Sequence, residues 1–308
     1  MGGDRARADV LAVVLTFRRP RLATGVVRQL IEVEGLDPGQ VLLVVNGDGG
    51  LEDPDLTRRI EVLRLPENVG PAGGFRQGLV HATRSPHRWF YLCEDDVGLF
   101  DLPTPRLARL VAEVEALEAG TAGGAQVGGV VAYGRCLDPR TGATRPFPAT
   151  EAKGLVDVDV AAWGASLVSR RVVEAGLLPD ADWFFGYEDF DFWLSLRSAG
   201  FRLLLDGAAY RARADVVSQE GRSAAFATER PDDHDEPWRA YYVARNFFAL
   251  RRRHGRPAWT LSHLAKSVRR MQLSGSRAER RATLAGLVDG ARGRSGRNDS
   301  YLRTTGER

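Results

Sequence analysis

Trp89-Phe90-Tyr91-Leu92-Cys93-Glu94-Asp95-Asp96 sets an apolar, aromatic run directly against three carboxylates. A run this short reads as a buried strand rather than a helix, and the acids mark where it leaves the core. Three adjacent carboxylates repel one another unless a cation or strong donors stand beside them. Hard oxygen ligands of this kind suit Mg²⁺ or Mn²⁺, with coordination positions left for the oxygens of a diphosphate. A solvated acidic turn is the plain structural alternative, so the stretch takes its meaning from its surroundings.

On its N-terminal side, residues 9–17, 41–45 and 60–65 are apolar, β-branched-rich runs, each ending in turn chemistry such as Asn46-Gly47-Asp48 or Asn68-Val69-Gly70. Helical patterns fill the gaps, through about residue 34 and over 74–83. Alternating strands and helices predict an α/β fold, Rossmann-like, with a mostly parallel central sheet flanked by helices and ligands beyond the carboxyl ends of the strands. The loops 16–19, 46–48, 68–74 and 94–96 should therefore converge. On the C-terminal side a helix is expected over 107–119, a glycine-rich linker over 120–129, strands over 130–133, 155–162 and 202–205, and a helix over 170–175. Residues 207–237 show no clear period and read as a long loop. Helices follow over 238–254, 258–273 and 277–291, and the Gly/Arg/Ser composition of 292–308 predicts a disordered tail.

The chain has 308 residues, 44% hydrophobic and 27% charged, which excludes a disordered or fibrous protein. Cys93 and Cys136 can form neither a disulfide framework nor a structural zinc site, and no apolar leader or stretch of ~18 apolar residues is present. These features predict a cytoplasmic protein. The formal charge of +3 is unevenly placed: from Arg239 onward there are 17 basic and 4 acidic residues. Helix 258–273 brings Trp259, Leu261, Leu264, Val268 and Met271 near one side with Lys266, Arg269 and Arg270 beside them. That pattern fits peripheral contact with the inner face of a membrane, self-association, or packing on a neighbour. No nucleic-acid module accompanies the arginines, so nucleic acid is not an expected partner.

A second carboxylate cluster, Glu188-Asp189 with Asp191, lies among Trp183, Phe184, Phe185, Tyr187, Phe190, Phe192 and Trp193. Apolar walls raise the basicity of a carboxylate and suit a general base that takes a proton from a hydroxyl; acids at a helix N-terminus beside core aromatics are the structural alternative. The glycines before residue 75 let backbone N–H groups approach a ligand. Arg245, on a helix, is placed either to contact a phosphate or to form an internal ion pair.

In combination, TFRRP (16–20), NVGPAGGF (68–75), the acidic triad after its strand, WGASLVSRR (163–171), FFGYEDFDF (184–192) and YYVARN (241–246) resemble family-2 glycosyltransferases of GT-A fold, particularly bacterial rhamnosyl- and galactofuranosyltransferases. The resemblance implies a GT-A domain over 1–237, with a nucleotide-sugar half at about 9–119 and an acceptor half at about 127–237, then a helical region over 238–291. It implies metal-assisted transfer, with inversion, from a nucleotide-diphosphate sugar (UDP or dTDP favoured) to the hydroxyl of a glycan, lipid-linked or small-molecule acceptor. Thr16, Phe17, Arg19, Asn46, Asn68, Gly73, Gly74, Glu94, Asp95 and Arg245 would bind the donor. Asp96, with Glu94, would hold Mn²⁺ or Mg²⁺; Asp189, with Glu188, would be catalytic; and Trp163 and Asp191 would face the acceptor.

Three positions depart from that pattern. Val45 stands where many members carry an aspartate, the triad opens with Glu94, and the histidine that often completes the metal site has no counterpart in 216–220; His234, close to the next motif, is a poor substitute, so the resemblance implies a weaker metal site or one completed by water or Glu220. A sugar-nucleotide pyrophosphorylase is the first alternative, although Thr16-Phe17-Arg18-Arg19 is not its glycine-rich loop. A non-catalytic nucleotide-sugar-binding protein is the second.

Overall fold

The computed structural model describes residues 7–96, 105–120, 126–219 and 237–302. Strands β1 (Val10–Thr16), β2 (Val41–Asn46), β3 (Glu61–Leu65) and β4 (Trp89–Glu94) alternate with helices α1 (Pro20–Glu32), α2 (Pro54–Arg59) and α3 (Gly70–Ala82). These strands pair in parallel in the order β3-β2-β1-β4. β1 and β2 are buried throughout, and β4 is buried up to Glu94, because helices cover both faces; this is why they read as continuous apolar runs. The chain steps outward from β1 to β3 and then returns to the far side of β1 for β4. That reversal opens a crevice between the carboxyl ends of β1 and β4.

After helix α4 (Leu107–Ala119) come β5 (Val127–Val131), β6 (Gly134–Leu137), β7 (Thr144–Pro146), β8 (Leu155–Asp157), β9 (Val160–Ala161) and β10 (Ser166–Ser169). Helices α5 (Arg170–Glu174) and α6 (Glu188–Ser198), β11 (Arg202–Asp206) and helix α7 (Gly207–Gln219) follow. The main sheet continues from β4 as β10-β5-β11-β8, with β10 antiparallel to both neighbours and β8 antiparallel to β11. The sheet is therefore mixed: parallel in its first half, with β5–β11 the one parallel pairing in its second. A small antiparallel sheet, β7-β6-β9, lies beside it.

Several expectations change here. The run 155–162 is two strands in different sheets, because the chain crosses at Val158, whose N–H bonds Leu203 O while that of Asp159 bonds Arg135 O. The glycine-rich segment becomes strand from Val127. A Cβ on Gly128 or Gly129 would lie 2.7 Å from Phe201 or 2.8 Å from the Trp193 ring, so these glycines make room for packing. Helix α3 begins at Gly70, four residues before its expected start, and residues 207–219 are helical. The rest of the expected loop, with Glu220 and His234, lies outside the described residues.

Helices α8 (Pro237–His254), α9 (Pro257–Leu273) and α10 (Arg277–Ala291) lie where the periodicity predicts. Gly286 and Gly290 turn toward α8, where a Cβ would meet Tyr241 O and, at 2.5 Å, Arg245 O, so the two helices touch backbone to backbone. Residues 292–301 differ from the expected free tail. The Gly296 N–H bonds Asp182 O (2.6 Å), the Asn298 N–H bonds Tyr242 Oη (2.7 Å), and the Tyr301 ring stacks on Tyr241 with centroids 4.2 Å apart. A short helix, α11 (Asp299–Leu302), ends the described chain. Among the described residues no helix is long and apolar enough to cross a membrane.

Candidate active site

A cavity of about 720 Å³ opens at the β1–β4 crevice. Thr16, Phe17 and Arg19 line it from the end of β1, Asn46 from β2, Asn68 from the loop before α3, and Glu94, Asp95 and Asp96 from the end of β4. The Asp95 N–H bonds Leu15 O (3.1 Å), which carries the strand ladder one residue past β4 and turns the Asp95 side chain inward. Thr16 Oγ1 then donates to Asp95 Oδ2 at 2.7 Å. Arg19 Nη1 donates to Asp95 Oδ1 at 3.1 Å and to Asp96 Oδ2 at 2.7 Å. Burial lifts the Asp95 pKa above the usual carboxylate value, and Arg19 and Thr16 offset part of that rise.

Two carboxylates thus aim oxygens at one cationic nitrogen. The same pair fits a divalent ion of the Mg²⁺ type, which takes one or two protein carboxylates and fills its other positions from substrate oxygens and water. The fit is to Asp95 and Asp96, whereas the sequence paired Asp96 with Glu94. Glu94, also on the cavity wall, raises the Glu188 pKa through its charge. Among the described residues no group of three His, Cys, Asp or Glu side chains is assembled for a metal.

Asn46 is nearly fully buried, and its amide stitches the loop before α3. Its Nδ2 donates to Asn68 Oδ1 (3.0 Å) and Gly70 O (3.1 Å), and its Oδ1 accepts from the Val69 N–H (2.9 Å). It positions Asn68 and Gly70 rather than offering its own polar atoms to the cavity. Gly73 and Gly74 do not line the cavity. A Cβ on Gly73 would lie 2.7 Å from Val69 Cγ2, and one on Gly74 would strike Leu15, so both glycines let α3 lie close on its surroundings. In this segment it is Gly70 that lines the cavity. Its φ is +76°, and a Cβ there would overlap Phe184 O.

The opposite wall was not read from the sequence as donor-binding. It comprises Phe184, Phe185, Trp238 and Arg239, with Arg297 and Asp299 from the C-terminal segment. Phe185 and Trp238 meet edge to face at 4.7 Å, and the Arg239 guanidinium lies 5.3 and 5.0 Å from their ring centroids. Arg297 Nη1 donates to Asn68 O (2.9 Å) and pairs with Glu67 (3.2 Å). Phe184 and Phe185 fall within a quoted motif. Arg297 carries no local signal, because its place depends on how residues 292–301 return across the molecule.

Phe184 (φ 58°) and Tyr187 (φ 68°) are non-glycine residues in the left-handed region, a conformation kept only where surrounding bonds enforce it. Asn246 enforces it: its Nδ2 donates to Trp183 O (2.8 Å), Phe185 O (2.7 Å) and Gly186 O (3.2 Å). Arg245 Nε holds Asn246 Oδ1 (2.8 Å), and Arg245 Nη1 holds Gly296 O (2.7 Å). Arg245 is 1% exposed and lies under the Tyr241 and Tyr242 rings, so it is a buried positioning residue and not a phosphate contact.

This loop delivers Glu188 and Asp189 at the head of α6. Glu188 is buried, and its Oε2 has no hydrogen-bond partner; burial first, then the charge of Asp189, hold its pKa well above the usual carboxylate value. Asp189 is half-buried and accepts from the Phe190 N–H at 2.8 Å. Burial raises its pKa to about 7, and the backbone N–H groups of Phe190 and Trp163 oppose the rise. Neither acid lines the cavity itself; the charge of Glu94, on the cavity wall, adds to the rise in the Glu188 pKa.

Two acceptor assignments change. The Trp163 indole is 4% exposed and packs against Phe75, Phe192 and Trp193 at 5.1–5.8 Å, leaving only its backbone beside Asp189. Asp191 is buried between Arg253 (2.6 Å) and His254 (2.8 Å), where it ties α6 to α8.

No protein-family model matches this chain, and no curated protein is similar to it. Among solved structures it resembles the crystal structure of GalNAc-T7 with UDP, GalNAc and Mn²⁺, at 10% identity and a TM-score of 0.46, covering 86% of this chain and 58% of that one. It also resembles the crystal structure of S. aureus TarS 1–349, at 10% identity and a TM-score of 0.43, covering 97% and 93%.

Proposed function

We propose that this chain is an inverting glycosyltransferase of GT-A type, family-2-like, that moves a sugar from a nucleoside-diphosphate donor to an acceptor hydroxyl. The observation that carries the reading is the convergence of Asp95 and Asp96 on one cation, the Arg19 guanidinium, at the switch point of the sheet beside residues 68–71 and 184–185. Arg19 would pass from these carboxylates to the donor diphosphate when the donor binds. Asp95 and Asp96 would hold Mn²⁺ or Mg²⁺, which would neutralise the leaving diphosphate. Asp189 takes the proton of the acceptor hydroxyl as that oxygen bonds the anomeric carbon and the bond from carbon to the diphosphate breaks, releasing the nucleoside diphosphate. A UDP- or dTDP-linked sugar of the rhamnosyl or galactofuranosyl type is the donor this reading favours, and a glycan, lipid-linked or small hydroxyl compound the acceptor.

Thermal-shift titration with UDP, dTDP, GDP and ADP, each with and without Mn²⁺, tests the donor site, because a ligand of the native state raises its melting temperature. A shift with UDP or dTDP that grows with Mn²⁺ is expected, and no shift with any nucleotide overturns the reading. Asp189→Asn should keep the nucleotide shift and lose about 10²–10⁴-fold in transfer. Full transfer by that variant would remove Asp189 as the base.

A further inference from the structure

Helices α9 and α10 sort their residues sharply between two faces. On α9, Trp259, His263 and Ser267 are buried, while Leu261 (73% exposed), Leu264, Val268 and Leu273 (75%) stand in water. The apolar set grouped by sequence is thus divided, with Trp259 facing in and the aliphatic residues facing out. On α10, Ala282, Thr283, Gly286 and Gly290 are buried, and Arg277, Arg281, Leu284 and Val288 follow the exposed stripe at helical spacing.

The charges divide in the same way. Between residues 256 and 292 there are eight arginines and lysines, all exposed, and two acids, both buried. Glu279 accepts from Arg270 Nε at 2.7 Å, and Asp289 accepts from Tyr241 Oη at 2.8 Å. The outward surface of the pair therefore carries charge of one sign, interleaved with exposed aliphatic side chains. A second copy docked by the same face would bring arginines against arginines with no exposed acid on that face to receive them. A nucleic-acid backbone would leave the leucines in water. An anionic bilayer meets both features, taking aliphatic side chains at the boundary of headgroups and acyl chains and arginines at lipid phosphates.

We propose that the exposed faces of α9 and α10 form a docking surface for an anionic lipid bilayer. The inference does not depend on the proposed transfer activity. Flotation of the full chain with phosphatidylcholine vesicles, and with vesicles containing phosphatidylglycerol as well, tests it. Binding only to the anionic vesicles, weakened by salt, is expected. Arg277→Ser with Arg281→Ser should lower partitioning about 30-fold, at about 1 kcal/mol for each basic residue near the surface. Leu261→Ser with Leu264→Ser should also release the protein. Both pairs are exposed, so an unchanged melting temperature should certify the fold. No binding to anionic vesicles, or full binding by the leucine variant, overturns the proposal. A dimer in solution that the leucine variant abolishes would assign the face to a second copy instead.

Discussion

Glu188 and Asp189 are neighbours at the head of one helix, yet their surroundings divide their roles. Asp189 has backbone donors that favour its ionised form, so an acid limb near pH 7 is expected in the pH–rate profile, with transfer rising as pH rises. Glu188 has a buried oxygen without a partner, and burial together with the charge of Asp189 favours its protonated form. Above an ordinary glutamate pKa of about 4.3, the unfolded chain releases a proton that the folded chain retains, so stability falls as pH rises toward the elevated folded value. Glu188→Gln should therefore flatten the decline in melting temperature between pH 4 and neutrality, read by calorimetry across that range. The acids were legible because charge beside aromatic residues is visible in sequence. Arg245 was not, because an arginine on a polar helix looks alike whether it meets a ligand or the chain's own carbonyls. Arg245→Ala should lower stability by about 1–3 kcal/mol by orphaning buried acceptors, measured by denaturant unfolding.

Helix α3 shows what glycine does at the level of an element. Gly78 faces Val13 Cγ1 at 2.6 Å and Val44 Cγ2 at 3.0 Å from the position of a Cβ, both on stiff β-branched side chains in the sheet. Alanine would gain up to about 1 kcal/mol of helix propensity, but overpacking costs about 1–3 kcal/mol, so Gly78→Ala should destabilise without touching the cavity. Gly70→Ala should act differently, by forcing Phe184 aside and weakening nucleotide binding, which isothermal titration separates from stability. The first four strands, helices α1, α3 and α4 and the three long C-terminal helices were legible from periodicity, whereas the six-residue α2 is too short to show a period and was missed. The start of α3 was not: Gly70-Pro71-Ala72-Gly73-Gly74 has weak helix propensity, and packing on β1 and β2 overrides it. The break at Val158 was equally hidden, because adjacent apolar residues do not reveal that their partners lie in different sheets.

Across the whole molecule, the cavity is built from segments far apart in the sequence, 15–19 and 297–299. Arg297 reaches Glu67 across 230 residues of sequence, and Asn298 joins the hydroxyls of Tyr241 and Tyr242. Removing residues 292–308 should lower the melting temperature and weaken nucleotide binding together, whereas Arg297→Ala should weaken nucleotide binding with little change in stability. Composition predicted disorder for this segment because glycine, serine and arginine supply no apolar period; what orders it is a set of backbone bonds to a surface made elsewhere. The reach of Arg297 also sets an order of events during synthesis. The first four strands leave the ribosome long before Arg297 does, so one side of the cavity is made well after the strand ends that form its floor. Completion of the site therefore waits for the segment that carries Arg297, whatever has already formed before it.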